Sequence, residues 1–388
     1  MVNYDFVLFG VFLVLIVIFY IVKRKEIKFQ GLMAIYRTKL GTVAAKKITA
    51  KYTKFFHYFG YVSIVIGFLG MIAIFYILFR GGLNLLLDPA SQPVVAPVLP
   101  FITIPGLPTL LFTYWLIGIF VVAVIHEFSH ALLCAAYKVK IKSSGFAFFG
   151  PLPAAFVEPD EKQLAKKKKT VQLAVLSAGS ASNVVTGIIF LIVFAFILSP
   201  GIIAIANVNY KISDVVNGSP AEAAGLKEGM LIEKIAGLDA TPGNITKVFS
   251  LLKPGDNLTI QTSQQTFKIK AVQHPQNASR GFIGVSLLET DLTAKKGSNA
   301  SALATLIWLQ RLFLWLFILS LGIGIFNLLP LGPIDGGRMF MLALSYISKD
   351  ENKVKKVFAA VSIISLMFIL INLAPYLVKF FNWLISFG

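Results

Sequence analysis

Charge is scarce in this chain, and acidic charge is scarcest. Only 14% of its 388 residues are charged against 56% hydrophobic, and 18 acids face 36 bases. Soluble domains carry roughly 25% charged residues, so a chain this poor in charge cannot be water-soluble over most of its length. Cys134 stands alone, which excludes any internal disulfide. It lies one helical turn beyond His130 and reads as a small packing residue in an apolar helix, with a place beside a metal as the alternative. The net charge of +18 would suit a nucleic-acid partner, but no nucleic-acid motif accompanies it and the excess sits in short segments between apolar runs. The first apolar stretch, Tyr4 to Val22, has no small-residue cleavage site and runs into Lys23-Arg24-Lys25. It therefore reads as a retained anchor rather than a signal peptide.

What is abundant is apolar runs long enough to cross a bilayer, which takes about 20 residues. Six are expected, at about 4–22, 57–79, 112–137, 171–199, 303–328 and 357–384. Lys and Arg near span ends set orientation. Segment 23–56 holds ten Lys/Arg and one acid, 138–170 eight and three, and 338–356 five and two, whereas 80–111 has one Arg and one Asp. The three basic segments alternate with poor ones, as one topology demands, and together carry +17 of the net charge. They are assigned to the cytoplasm and both termini to the other side.

Residues 200–300 break the apolar pattern. Short β-type runs, Leu258 to Gln261 and Phe267 to Val272, alternate with turn signals such as Lys253-Pro254-Gly255-Asp256. Of fourteen Asn, seven lie between 203 and 301, and five of these (Asn217, Asn244, Asn257, Asn277 and Asn299) begin an Asn-x-Ser/Thr acceptor, while none of the others does. Such acceptors are useful only on an extracytoplasmic surface, in agreement with the charge pattern. Ser219 to Leu226, followed by Lys227 to Ile232, resembles the helix-and-turn signature of bacterial PDZ domains. In that likeness Gly281 to Val285 would be a carboxylate-binding loop, with an ordinary turn as the alternative. The expected fold is thus a polytopic α-helical membrane protein with an inserted α+β, PDZ-like domain. Its parts are an N-terminal region (1–111), a first core half (112–199), the insertion (203–290), a second core half (303–345) and a last span (357–388).

Histidine is rare too, four in all, and two of them form His126-Glu127-Phe128-Ser129-His130 inside the third span. Ionisable residues within a membrane are costly and are functional suspects for that reason. Residues i and i+4 of a helix share a face, so both imidazoles can reach one metal, with Glu127 beside them to handle the proton of a water. A third ligand is needed, and nothing close to His130 offers one. Asn327-Leu328-Leu329-Pro330-Leu331-Gly332-Pro333-Ile334-Asp335-Gly336 supplies a carboxylate at the cytoplasmic end of the fifth span, the depth that the charge pattern also gives His126 and His130. Two imidazoles and one carboxylate leave a fourth position open, the arrangement of catalytic zinc.

The pair His126-Glu127-x-x-His130 and Asn327-x-x-Pro330-x-x-x-x-Asp335-Gly336 resembles the site-2 protease family of intramembrane zinc metalloproteases, over about residues 100–345. The resemblance implies one Zn²⁺ held by His126, His130 and Asp335, with Glu127 as general base. It also implies membrane-anchored protein substrates, already trimmed by another protease, that are cut within or near a transmembrane helix. Ala178-Gly179-Ser180-Ala181-Ser182-Asn183 is similar to a further family element, in which the Asn contacts substrate backbone or polarises the scissile carbonyl; here Ser180 replaces the usual Pro, and small-residue helix packing is a second reading of the run. Gly145 to Phe156 is too short to cross and too rich in Pro and Gly for a helix. Family members have a β-hairpin near the site, so this segment is expected to be a re-entrant hairpin offering its backbone to an unwound peptide, or else an interfacial loop. Two rivals remain: a membrane scaffold whose site has decayed, and an anchored zinc peptidase using Glu158 or Glu161 as third ligand.

Overall fold

The computed structural model describes residues 4–386 except 32, 39, 89–90, 102–103, 105–106, 263–264, 275–276, 287–288 and 296. It divides into two compact units, residues 1–194 with 311–388, and residues 195–310.

Among the described residues, six helices are long and apolar enough to cross a membrane. In the first unit they begin with α1 (Tyr4–Val22), a β-hairpin of β1 (Ile27–Gln30) and β2 (Met33–Thr38), and α2 (Leu40–Leu87). The second helix is longer than the apolar run suggests. Segment 40–56, expected as a basic loop, is helical and joins the span through a kink at Tyr52 (φ −123°, ψ 33°). Then come α3 (Phe112–Ala136), β3 (Ile141–Phe149), β4 (Leu152–Pro159), a short α4 (Glu161–Ala165) and α5 (Lys169–Val193).

The expected hairpin at 145–156 is β3 and β4. It is half of an antiparallel sheet ordered β1-β2-β3-β4, in which Met33 to Thr38 pair with Phe149 to Ser144. A lone two-stranded hairpin is marginal in water; two hairpins side by side stiffen one another. β4 is an edge of this sheet. At the hairpin's tip, the Tyr20 hydroxyl of α1 donates to the Gly150 carbonyl at 3.0 Å. At its other end α1 brings Asp5, whose carboxylate accepts from the Thr113 hydroxyl and from the Thr113 N–H. That N–H is one of the orphan donors of the first turn of α3, which has no cap of its own.

α5 lies against α3 with an unbroken buried run from Leu173 to Asn183. Its small residues allow close approach without large side chains between backbones. On the far side it packs on the helix Ala300–Phe326, where the buried Ser320 hydroxyl donates to the Asn183 carbonyl at 2.9 Å. After a break at 327–334 the chain resumes as the helix Asp335–Ile347 and ends in Glu351–Ile385. In that last helix the buried Asn372 amide accepts from the Val94 N–H and donates to the Leu78 and Phe368 carbonyls. Cys134 is fully buried among Ala131, Leu133 and Ala174, in keeping with a packing role.

The second unit holds α6 (Ser199–Ile205) and a β-rich region over residues 206–294 with its own core, centred on Ile212, Ile232, Ile235, Ile260 and Ile269. Strands β5 (Ala206–Lys211), β6 (Asp214–Val215), β7 (Leu231–Ile235), β8 (Leu238–Asp239), β9 (Asn257–Thr262), β10 (Thr266–Lys270), β11 (Val272–His274), β12 (Asn277–Phe282), β13 (Val285–Ser286) and β14 (Glu289–Ala294) include both runs expected from sequence. The main sheet runs β10-β9-β7-β5-β14, with β8 beside β7; β11 pairs with β12 and β13 with β6. α7 (Pro220–Ala223) starts at Ser219, which caps the Glu222 N–H, and the turn after it uses Gly225 at φ +87°. α8 (Pro242–Leu251) is capped by Thr241. Among the described residues, the three later helices are α9 (Ala300–Phe326), α10 (Asp335–Ile347) and α11 (Glu351–Ile385).

Candidate metal centre

His126 and His130 face the same side of α3, as four-residue spacing requires, and Asp335 meets them from the first residue of α10, about two hundred positions on. The His126 and His130 Nε2 atoms are 3.2 Å apart, and Asp335 Oδ2 is 3.1 Å from each. Among the described residues, these three form the group of His, Cys, Asp or Glu side chains able to hold a metal ion. Two zinc–ligand bonds of roughly 2.0–2.1 Å at a tetrahedral angle place their donor atoms about 3.3 Å apart, so the spacing fits such an ion. The donor chemistry fits as well. His130 Nδ1 lies 2.7 Å from the Val175 carbonyl, which only accepts, so in a neutral ring Nδ1 carries the proton and Nε2 presents a lone pair. A carboxylate oxygen and imidazole lone pairs converging in a buried place call for a cation.

α10 can begin at Asp335 because Pro330 and Pro333 end the preceding helix and glycines follow. The Gly336 N–H donates to the Asn327 carbonyl at 2.8 Å. A Cβ on Gly336 would strike the backbone of Leu328 and Leu329, and one on Gly337 that of Leu331. One donor freed at the break is thus satisfied by the Asn327 main chain, and Asn327 lines a cavity of about 350 Å³ together with His126, Glu127, Ala154, Ala155 and Asp335.

Glu127 is oriented by the sheet: its Oε2 accepts from the Val157 N–H of β4 at 2.8 Å. Sequence reasoning did not foresee this contact, because a main-chain donor leaves no residue signature. Gly179 also went unassigned. Val175, Gly179 and Asn183 recur every four residues on one face of α5 and all meet the imidazole pair. Val175 holds His130, and Asn183 Nδ2 lies 3.2 Å from His126 Nδ1. Gly179 sits between, and a Cβ there would stand 2.5 Å from His130 Nε2 and 2.6 Å from His126 Nε2. Asn183, expected at the substrate, is fully buried behind His126. Glu158 and Glu161, the rival ligands, are engaged elsewhere. Glu158 accepts from the Ser143 hydroxyl at 2.6 Å, and Glu161 pairs with Arg338 at 3.2 Å.

In the second unit, Gly281 to Val285 line a separate cavity of about 430 Å³ with Phe249 of α8, His274 and Arg280.

The family model described as "Peptidase family M50" matches residues 114–371, which takes in both histidines, Glu127, Asn183 and Asp335. The chain is 26% identical over 341 residues to an uncharacterised protein of Methanocaldococcus jannaschii, covering 84% of this chain and 81% of that one. It is 23% identical over 235 residues to the zinc metalloprotease RasP of Shouchella clausii, covering 49% of this chain and 54% of RasP.

Proposed function

The chain belongs to peptidase family M50 and is a multi-pass membrane zinc metalloprotease, and on that premise we propose how its residues divide the work. His126, His130 and Asp335 hold the zinc, Glu127 moves the proton, and the substrate is a membrane-anchored protein cut within or near its transmembrane helix. The observation that carries this reading is the triangle of Nε2, Nε2 and Oδ2 atoms at 3.1–3.2 Å, with the Nδ1 atoms engaged on the opposite side.

Zinc supplies a Lewis acid there, polarising a peptide carbonyl and making water acidic enough to lose a proton near neutral pH. Glu127 lines the same cavity and takes that proton as the water oxygen bonds to the carbonyl carbon. The C–N bond then breaks, and Glu127 returns the proton to the departing amine. With one carboxylate oxygen held by Val157, the group meets the reacting atoms in one orientation and not several. Helical amides are bonded within their own helix, so a substrate helix must unwind before it is cut. The edge of β4, whose Pro153, Ala154 and Ala155 line the cavity, offers an extended peptide a strand to pair with.

The three Lys/Arg-rich segments lie in the cytoplasm, which sets the metal centre toward that side and the inserted region outside. The inserted region acts as a PDZ-type module that admits substrates already shortened by another protease. Its cavity at Gly281 to Val285, with Arg280 and His274 beside it, suits a newly made carboxyl terminus.

The Glu127→Gln variant tests the assignment. It should hold about one zinc per chain and lose cleavage of a membrane-helix substrate by roughly 10²–10⁴-fold, the usual worth of a positioned proton acceptor. Full activity in that variant would refute it.

A further inference from the structure

We infer that Asn183 is a positioning residue for the metal centre: it holds the His126 imidazole with its proton on Nδ1 and Nε2 free, by accepting that proton's hydrogen bond through its side-chain oxygen. The inference rests on the ligand set proposed above and concerns what stands behind it.

The two histidines face the same requirement. A ligand nitrogen must present a lone pair, so the other ring nitrogen of a neutral imidazole carries the proton and needs an acceptor. His130 finds one in the Val175 carbonyl at 2.7 Å. Eight residues further along the same face of α5, the group opposite His126 Nδ1 is not a carbonyl but the Asn183 amide, at 3.2 Å. Asn183 is fully buried, and its backbone is pinned by Ser320, so this amide is placed to serve His126 and not a peptide in the cavity.

The atom of the amide placed nearest Nδ1 is the nitrogen, while Oδ1 is buried without a hydrogen-bond partner. An amide nitrogen facing Nδ1 suits the other tautomer, whose proton sits on Nε2 and points at Asp335. The oxygen and nitrogen of an Asn side chain exchange places on a half-turn about one bond, and their assignment follows from the network around them. After that half-turn, Oδ1 accepts from Nδ1–H, the orphaned acceptor is satisfied, and Nε2 turns a lone pair to the metal. What favours this arrangement is the ligand chemistry: Nε2 can face the metal only as a lone pair, so Nδ1 carries the proton and needs the acceptor that Oδ1 supplies. A carboxamide can serve either tautomer, so it can accompany His126 through metal loading.

Outer partners of this kind are worth roughly 10- to 100-fold in metal affinity. The experiment measures zinc affinity by chelator competition on the full-length detergent-solubilised protein, for the native chain and for Asn183→Leu, Asn183→Asp and His126→Ala. Asn183→Leu, close to isosteric but without an acceptor, should bind zinc roughly 10- to 100-fold more weakly, and excess zinc should restore most of its cleavage. Asn183→Asp keeps an acceptor and should bind at least as tightly as the native chain. If Asn183 instead touches substrate, the Leu variant keeps native zinc affinity and its lost cleavage does not return with zinc, and either result overturns the inference. Should the Leu variant fail to fold, a loss of tenfold or more in Asn183→Asp overturns it instead. Native zinc affinity in His126→Ala would reject the ligand set itself, so the two failures are distinguishable.

Discussion

A single methyl group at Gly179 should abolish tight metal binding. The added carbon would stand 2.5 Å from His130 Nε2 and 2.6 Å from both Nε2 and Cδ2 of His126, where ordinary contact begins at 3.4 Å. Relief requires α5 to back away from α3, or both rings to turn, by about 0.9 Å. Overpacking of this sort costs about 1–3 kcal/mol in stability, which a domain with several packed helices survives. The metal site is less tolerant, because bond lengths there hold to within roughly 0.2 Å. Moving α5 also loosens Val175 and Asn183 from the two imidazoles, so the rings lose position and orientation together. Zinc affinity in Gly179→Ala should therefore fall by more than the roughly 10- to 100-fold typical of losing one outer partner. The assay is zinc per chain after gel filtration in mild detergent, followed by chelator titration. Gly322→Ala serves as control, because a Cβ at Gly322 in α9 meets nothing within 4 Å. Native zinc content and affinity in Gly179→Ala would show that α5 does not abut the ligand nitrogens, and the reasoning would fail.

Three further outcomes follow from the same geometry. Asp335→Ala should leave two imidazoles and lose stoichiometric zinc; retention of zinc would return Glu158 or Glu161 to contention as ligand. Val157→Pro deletes the donor that orients Glu127, at an edge strand where proline is tolerated. Hydrogen bonds to charged groups are worth about 1.5–3 kcal/mol, so kcat should drop roughly 10- to 150-fold with zinc content unchanged, whereas Val157→Ala, which keeps the N–H, should be near native. Gly284 sits at φ +81° with the Ser219 side chain against it, so Gly284→Ala should loosen the inserted region by about 2–4 kcal/mol. Limited proteolysis of the full chain, cutting faster between residues 206 and 294 than in the native protein, is the check.

The cluster of His126, His130 and Asp335 was legible because its signals are carried by side chains in recognisable spacing. Four residues on a helix bring His126 and His130 together whatever surrounds them, and alternating basic segments gave Asp335 the same depth as the histidines. The six spans were legible for the same reason, as were the strands at 257–262 and 266–270, where turn residues bracket alternating runs. What escaped was carried by the backbone or by distant pairing. Residues 27–38 look like part of a basic loop, since their partner strand begins more than a hundred residues later at Ile141. Residues 40–56 are helical though rich in Lys, because a helix can hold such side chains on an exposed face. The Val157 N–H, the Val175 carbonyl and the bare Cα of Gly179 have no letter in the sequence that announces them. Asn183 was noticed as a motif position, but its direction, toward His126, depends on how α5 turns against α3.

The pairing of β2 with β3 sets a lower limit on how small a working enzyme can be. The family match opens at residue 114, which invites trimming of everything upstream, yet β3, the neighbour of the β4 strand that holds Glu127, is braced by Met33 to Thr38. A shortened chain that begins at the third span would keep every ligand and still leave β3 with a raw edge and Val157 on a ribbon of two strands. Such a fragment should load zinc but turn over poorly, so its inactivity would report a lost buttress and not a missing ligand.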